Sequence, residues 1–167
     1  EETIRLIRLA VERLGIRQVR FTGGEPLLRR TLEHIISETK AMQTDEGVAP
    51  STAVTTNALG LAHRAQSLVD AGLDRVNVSL DTTDRELYAQ LTRRDRIDDV
   101  FAGINAAVEV GLHPVKVNAV VMPGVNEEGV TALVRFALER GLQLRFIEQM
   151  PLGPREQWKR SDMVTAH

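Results

Sequence analysis

Between Val19 and Arg30 the chain reads VRFTGGEPLLRR, and within it one carboxylate, Glu25, follows two consecutive glycines. Glycine takes backbone angles closed to other residues and leaves the main chain bare to a ligand. Pro26 sets φ near the helical value and has no N–H to lose, so the chain is expected to turn straight from a strand into a helix beginning around Leu27. Main-chain groups at the carboxyl end of a strand are free to bond a small molecule. A Glu25 exposed at the tip of the turn can take an ammonium by charge-assisted hydrogen bonds. The same arrangement also serves as an ordinary tight connection in an α/β protein. Neither GxGxxG nor GxxxxGK[ST] occurs, so the turn is not a nucleotide-phosphate fingerprint.

A second group of residues that can do chemistry is cationic. Lysine is scarce, with only Lys40, Lys116 and Lys159 among 21 basic residues. Strand alternation sets Arg20 beside Thr22, Thr55 beside Asn57, Asn77 beside Ser79 and Lys116 beside Asn118. Val19 and Phe21, Val76 and Val78, and Val115 and Val117 take the opposite face. Arg145 falls between Leu144 and Phe146 in a further strand pattern. Polar groups gathered on one face of several strands are costly unless a ligand or water satisfies them. Arg20, Lys116 and Arg145 around one lumen suit a polyphosphate or another multiply charged anion. Each of the three, taken alone, can instead pair with a carboxylate such as Asp81 or Glu148.

The elements that must position these residues are marked by their ends. Gly15, Gly72, Gly111 and Gly141 each follow a helical pattern and precede an apolar residue, the signature of a left-handed helix cap. Strands are expected at 18–22, 52–56, 75–80, 115–121 and 143–148, and helices near 28–43, 61–71, 84–91, 98–110 and 127–140. Thr83 with Glu86 forms a capping box, and Asn126 caps the last of these helices. Glu1 to Leu14 is a helix pattern with no strand before it, and Thr165 resembles a helix cap. The chain is therefore expected to be part of a longer protein. Alternating helices and strands predict an α/β fold with a parallel sheet and right-handed crossovers. The polar strand face favours a barrel with a wet lumen over an open sheet packed on both sides.

Composition narrows the function classes. A chain of 167 residues, 43% hydrophobic and 26% charged, suits one globular domain. A net charge of −2 gives no global field for nucleic acid or an anionic membrane. No apolar run approaches a membrane span and no signal peptide opens the chain, so a cytoplasmic location is expected. There is no cysteine. Thiolate nucleophiles, disulfides and cysteine-bound zinc or iron–sulfur centres are excluded for these residues. His34, His63, His113 and His167 lack metal spacing.

Several motifs together resemble one family. TGGEPLLRR (Thr22 to Arg30), TTN (Thr55 to Asn57), DRVNVSLD (Asp74 to Asp81), VKVNAVV (Val115 to Val121), GVN (Gly124 to Asn126) and RFIEQMP (Arg145 to Pro151) are similar to the GTP 3′,8-cyclases. These are radical S-adenosylmethionine enzymes of molybdenum cofactor biosynthesis. GGEP alone marks only the wider superfamily, whereas the conjunction is far more specific and covers nearly the whole chain.

The resemblance implies an incomplete TIM-like barrel, a partial (βα)6 barrel of which this chain supplies strands two to six. Residues 1–150 would form the barrel core and 151–167, with Trp158, a linker towards a further domain. Gly24, Glu25, Ser79 and Met150 match positions that bind S-adenosylmethionine. Arg20, Thr55, Lys116 and Arg145 match positions that hold GTP.

The implied chemistry is reductive cleavage of S-adenosylmethionine by a 4Fe-4S cluster, hydrogen abstraction from ribose C3′, and attack of C3′ on guanine C8. Two such clusters belong to the family pattern, and the ligands of neither lie in this chain. Gln18 stands where some members carry a basic residue, and Ala58 replaces the glycine common after TTN. Implied partners are GTP and a downstream cyclic pyranopterin monophosphate synthase, with no nucleic acid or membrane and with a homodimer among the allowed assemblies. A radical enzyme with another substrate, such as a peptide, and a non-catalytic nucleotide-binding module are the alternatives.

Overall fold

The structure, a computed structural model, describes residues 1–148. In chain order the elements are α1 (Glu2–Leu14), β1 (Gln18–Phe21), α2 (Leu32–Lys40), β2 (Ser51–Thr56), α3 (Leu61–Asp70), β3 (Arg75–Ser79), α4 (Arg85–Thr92), α5 (Ile97–Glu109), β4 (Val115–Val120), α6 (Val130–Glu139) and β5 (Gln143–Ile147). Single 3-10 turns at Pro26–Leu28 and Glu127–Gly129 precede α2 and α6. The strands are ordered β1 to β5 as in the chain, which is the parallel α/β arrangement expected. Two compact units are present, one of Glu1–Val78 with Asp98–Val115 and the other of Ser79–Ile97 with the described residues from Lys116 on.

In the first unit β1 pairs in parallel with β2, and β2 with β3. Ala53, Val54, Val76 and Val78 are fully buried, as are Ile36, Leu61, Leu68 and Ile104 on the helices. Burying one such aliphatic side chain contributes about 1.5–3 kcal/mol, so these positions hold the strands in place. In the second unit β4 pairs in parallel with β5. Val117, Ala119, Leu133 and Ala137 are buried there.

The glycine punctuation is observed: Gly15, Gly72, Gly111 and Gly141 all have positive φ. Three of these ends close with the N–H of the following leucine bonding back five residues, Leu73 to Leu68 O, Leu112 to Ala107 O and Leu142 to Ala137 O.

Three local expectations are corrected. The helix after the glycine turn does not start at Leu27 or Leu28. The Glu25 carboxylate closes a 3-10 turn by accepting from Leu27 N, and Arg29 is extended (φ −79, ψ 116), so α2 begins only at Leu32. The Thr83–Glu86 capping box is replaced by Asp84, whose side chain accepts from Leu87 N at 2.8 Å. Asn126 caps no helix through its side chain. It is buried and ties loops together, donating to Asp81 O at 2.8 Å and Val120 O at 2.9 Å and accepting from Met122 N at 2.7 Å. A buried amide that meets backbone groups on two loops is worth more than one added cap bond on a solvated helix end.

Candidate functional site

Glu25 is half-buried, not exposed at the tip of its turn. Its Oε1 accepts from Leu27 N at 3.0 Å and from the Thr56 hydroxyl at 2.7 Å, and its Oε2 accepts from Asn57 N at 2.8 Å. A carboxylate offers about four lone-pair positions, so roughly one remains on Oε2 for a ligand. The carboxylate thus joins the turn after β1 to the end of β2. Gly23 (φ 140) and Gly24 have no atom within 4 Å of where a Cβ would stand. The main chain there is bare, as the sequence suggested.

The turn is also held from the helix side. Arg64, on α3, donates from NH1 to the carbonyls of Leu27 and Arg29. Its other nitrogens bond Glu33 on α2, Nε reaching Oε1 at 2.8 Å. Ser67 adds a bond to the same Glu33 oxygen at 3.0 Å. Burial works to raise the Glu33 carboxyl, but Arg64, the backbone and Ser67 outweigh it and hold the group below its ordinary value. Sequence reading missed Thr56 and Arg64. Thr56 was visible beside Thr55, while an arginine on an amphipathic helix carries no local mark of its role.

The polar strand face exists in each unit. In the first, the register places Arg20 level with Ala53, and Thr55 level with Asn77. Parallel register partners share a face. Asn77 Nδ2 donates to Thr55 Oγ1 at 3.2 Å. Arg20 is exposed, and among the described residues no partner is found for it.

In the second unit Asn118 is level with Arg145, so Lys116, Asn118 and Arg145 share a face of β4 and β5. Asn118 Oδ1 is buried with no hydrogen-bond partner. An acceptor left without a donor costs about 1–3 kcal/mol, which a ligand N–H or O–H can recover. Ser79 ends β3 and is exposed. Asp81 accepts from Val120 N at 2.8 Å, and burial pushes its carboxyl above the ordinary value, opposed by that N–H. Met150, like the 151–167 segment, lies outside the described residues.

A groove of about 400 Å³ between α1 and α2 is lined by Glu1, Ile4, Arg5, Arg8, His34 and Glu38. It holds none of the predicted residues, and its arginines pair with Glu2, Glu12 and Glu38. Among the described residues no cluster of histidine, aspartate or glutamate is arranged to hold a metal.

The sequence pattern of the radical SAM superfamily matches residues 1–137. The chain belongs to that superfamily. Among curated relatives, the GTP 3′,8-cyclase of Corynebacterium glutamicum is 66% identical over 165 residues, covering 99% of this chain and 44% of the relative. That of Mycobacterium marinum is 53% identical, covering 98% and 44%. The chain thus spans under half the length of these relatives. Of solved structures, HydG, a maturase of the [FeFe]-hydrogenase, matches with a TM-score of 0.71 at 13% identity, over 98% of this chain and 39% of that one. At that identity the likeness shows the fold alone.

S-adenosylmethionine and iron–sulfur clusters go with radical SAM proteins in general, and the two fit these residues differently. The bare Gly23–Gly24 main chain fits the first. The second has no thiolate here to bind it, because the chain has no cysteine. No step through a cluster is assigned to these residues.

Proposed function

We propose that this chain is the cofactor- and substrate-holding part of a GTP 3′,8-cyclase that converts GTP to (8S)-3′,8-cyclo-7,8-dihydroguanosine 5′-triphosphate. The observation that carries it is 66% identity across 99% of the chain to a protein of that name. The cation-bearing strand faces support it by calling for an anion, and the orphaned Asn118 acceptor by calling for a ligand N–H or O–H, both of which a nucleotide carries.

When bound, S-adenosylmethionine supplies the radical chemistry that removes the ribose C3′ hydrogen. Gly24 offers main-chain groups to the methionyl ammonium, Glu25 holds that turn and presents its remaining lone pair, and Ser79 and Met150 complete the cofactor contacts. Arg20, Lys116 and Arg145 bind phosphate oxygens, and Thr55 orients the nucleotide. Residues 1–150 are the barrel core in this reading, and 151–167 lead to a further domain. The protein works in the cytoplasm. Among the described residues no helix is long and apolar enough to cross a membrane. A downstream cyclic pyranopterin monophosphate synthase takes the product.

The full-length protein, reconstituted with iron and sulfide and given a reductant, is expected to turn GTP and S-adenosylmethionine into cyclised product and 5′-deoxyadenosine. Release of deoxyadenosine without loss of GTP would overturn the assignment.

A further inference from the structure

Strands β1, β2 and β3 carry two arginines, Arg20 and Arg75, and no acidic residue. Arg20 is level with Ala53, and Ala53 is level with Arg75. The two arginines therefore share one level of the polar face, with their Cα atoms about 10 Å apart at ordinary strand spacing. Between them stands the small side chain of Ala53, which is fully buried. Arg75 NH1 donates to Ser51 Oγ at 2.7 Å and NH2 to Gln18 Oε1 at 3.4 Å, both neutral acceptors. Elsewhere in this unit Arg5, Arg8, Arg17 and Arg64 each meet a carboxylate, while Arg29 bonds threonine hydroxyls. Two like charges held on one face without a carboxylate are unfavourable unless an anion joins them.

We propose that Arg75 is a second phosphate-binding residue beside Arg20. Together they form a two-arginine cradle for the polyphosphate of the nucleotide, with Ser51 and Gln18 aiming the Arg75 guanidinium. The inference rests on the reading of this chain as GTP-holding and adds a residue to that site. It also accounts for Gln18: a neutral acceptor there keeps Arg75 extended across the face, whereas a cation would repel it.

The test is calorimetric titration of the full-length protein with inorganic tripolyphosphate, GTP and S-adenosylmethionine. Arg75→Gln is expected to weaken tripolyphosphate and GTP binding roughly 10- to 100-fold, the loss of a charge-assisted contact. Binding of S-adenosylmethionine should stay within about twofold, and Arg75→Lys should restore part of the anion affinity. Unchanged tripolyphosphate affinity in Arg75→Gln, or an equal loss for S-adenosylmethionine, would show a mere strut and overturn the proposal. If Arg75→Gln does not fold, Arg75→Lys carries the comparison, because a single ammonium still loses the bidentate contact. Wild-type protein that binds tripolyphosphate but turns over no GTP keeps the cradle and rejects the cyclase reading. Wild-type protein that binds no tripolyphosphate rejects the cradle.

Discussion

The Thr56 hydroxyl donates to Glu25 Oε1 across 2.7 Å, fastening the glycine turn that follows β1 to the last residue of β2. The same hydroxyl oxygen accepts from Ala58 N at 3.0 Å, and Thr56 is buried. Thr56→Val keeps the shape and strands both partners. Denaturant unfolding should show a loss of about 1.5–3 kcal/mol, and Thr56→Ser should recover most of it. A Thr56→Val variant as stable as the parent would show that the bond contributes nothing.

Arg64 and Glu33 are one-fifth to one-quarter exposed, buried enough for their pairing to matter. Arg64→Ala leaves the carbonyls of Leu27 and Arg29 and the Glu33 carboxylate short of a donor, and is expected to cost about 1–3 kcal/mol. The folded Glu33 value lies below its unfolded value of 4.5, so its contribution is present above that pH and lost as pH falls through the folded value. The stability gap between parent and Arg64→Ala should therefore narrow on acidification, as followed by thermal melting from neutral pH downward.

Asp81 has the opposite sign. Its folded value is raised above 3.8 by burial, so the folded state holds its proton more tightly, and stability is lost as pH rises from the unfolded value through the folded one. Asp81→Asn keeps an oxygen to accept from Val120 N and removes the buried charge. At neutral pH the variant is expected to be at least as stable as the parent, with the advantage vanishing in acid. Melting curves at several pH values that run parallel for the two proteins would contradict this.

Gly103 lies within α5, where alanine would normally gain up to about 1 kcal/mol of helix propensity. A Cβ there would stand 2.8 Å from the Ala58 carbonyl oxygen and 3.0 Å from Leu61 Cβ. The clash is with backbone, which cannot rotate away, so the overpacking cost of about 1–3 kcal/mol should win. Gly103→Ala is expected to lower the unfolding midpoint, and a raised midpoint would refute the packing seen at this turn.

Lys116→Ala in the full-length protein should weaken GTP binding about tenfold or more while leaving S-adenosylmethionine binding nearly unchanged. Equal loss of both in titrations would place the lysine elsewhere than on the nucleotide.

Much of this protein is written in short stretches of its sequence. The order of helices and strands, the left-handed ends at Gly15, Gly72, Gly111 and Gly141, and the polar alternation of Lys116 with Asn118 depend on residues within a few positions of one another. Periodicity and turn chemistry act at that range, and so does the motif set that matches the radical SAM superfamily. Ala58 shows the limit of such reading. It stands where glycine is common after TTN, yet it takes a left-handed angle (φ 63), held there by its buried methyl and the Thr56 bond to its N–H.

The partners of Glu25, the grip of Arg64 on the turn, the bridging role of Asn126 and the level pairing of Arg20 with Arg75 were decided only in three dimensions. Each joins residues tens of positions apart, and the arginine pair depends on strand register. A one-residue slip would turn every side chain of a strand to its other face, so no local pattern could fix which arginine stands beside which.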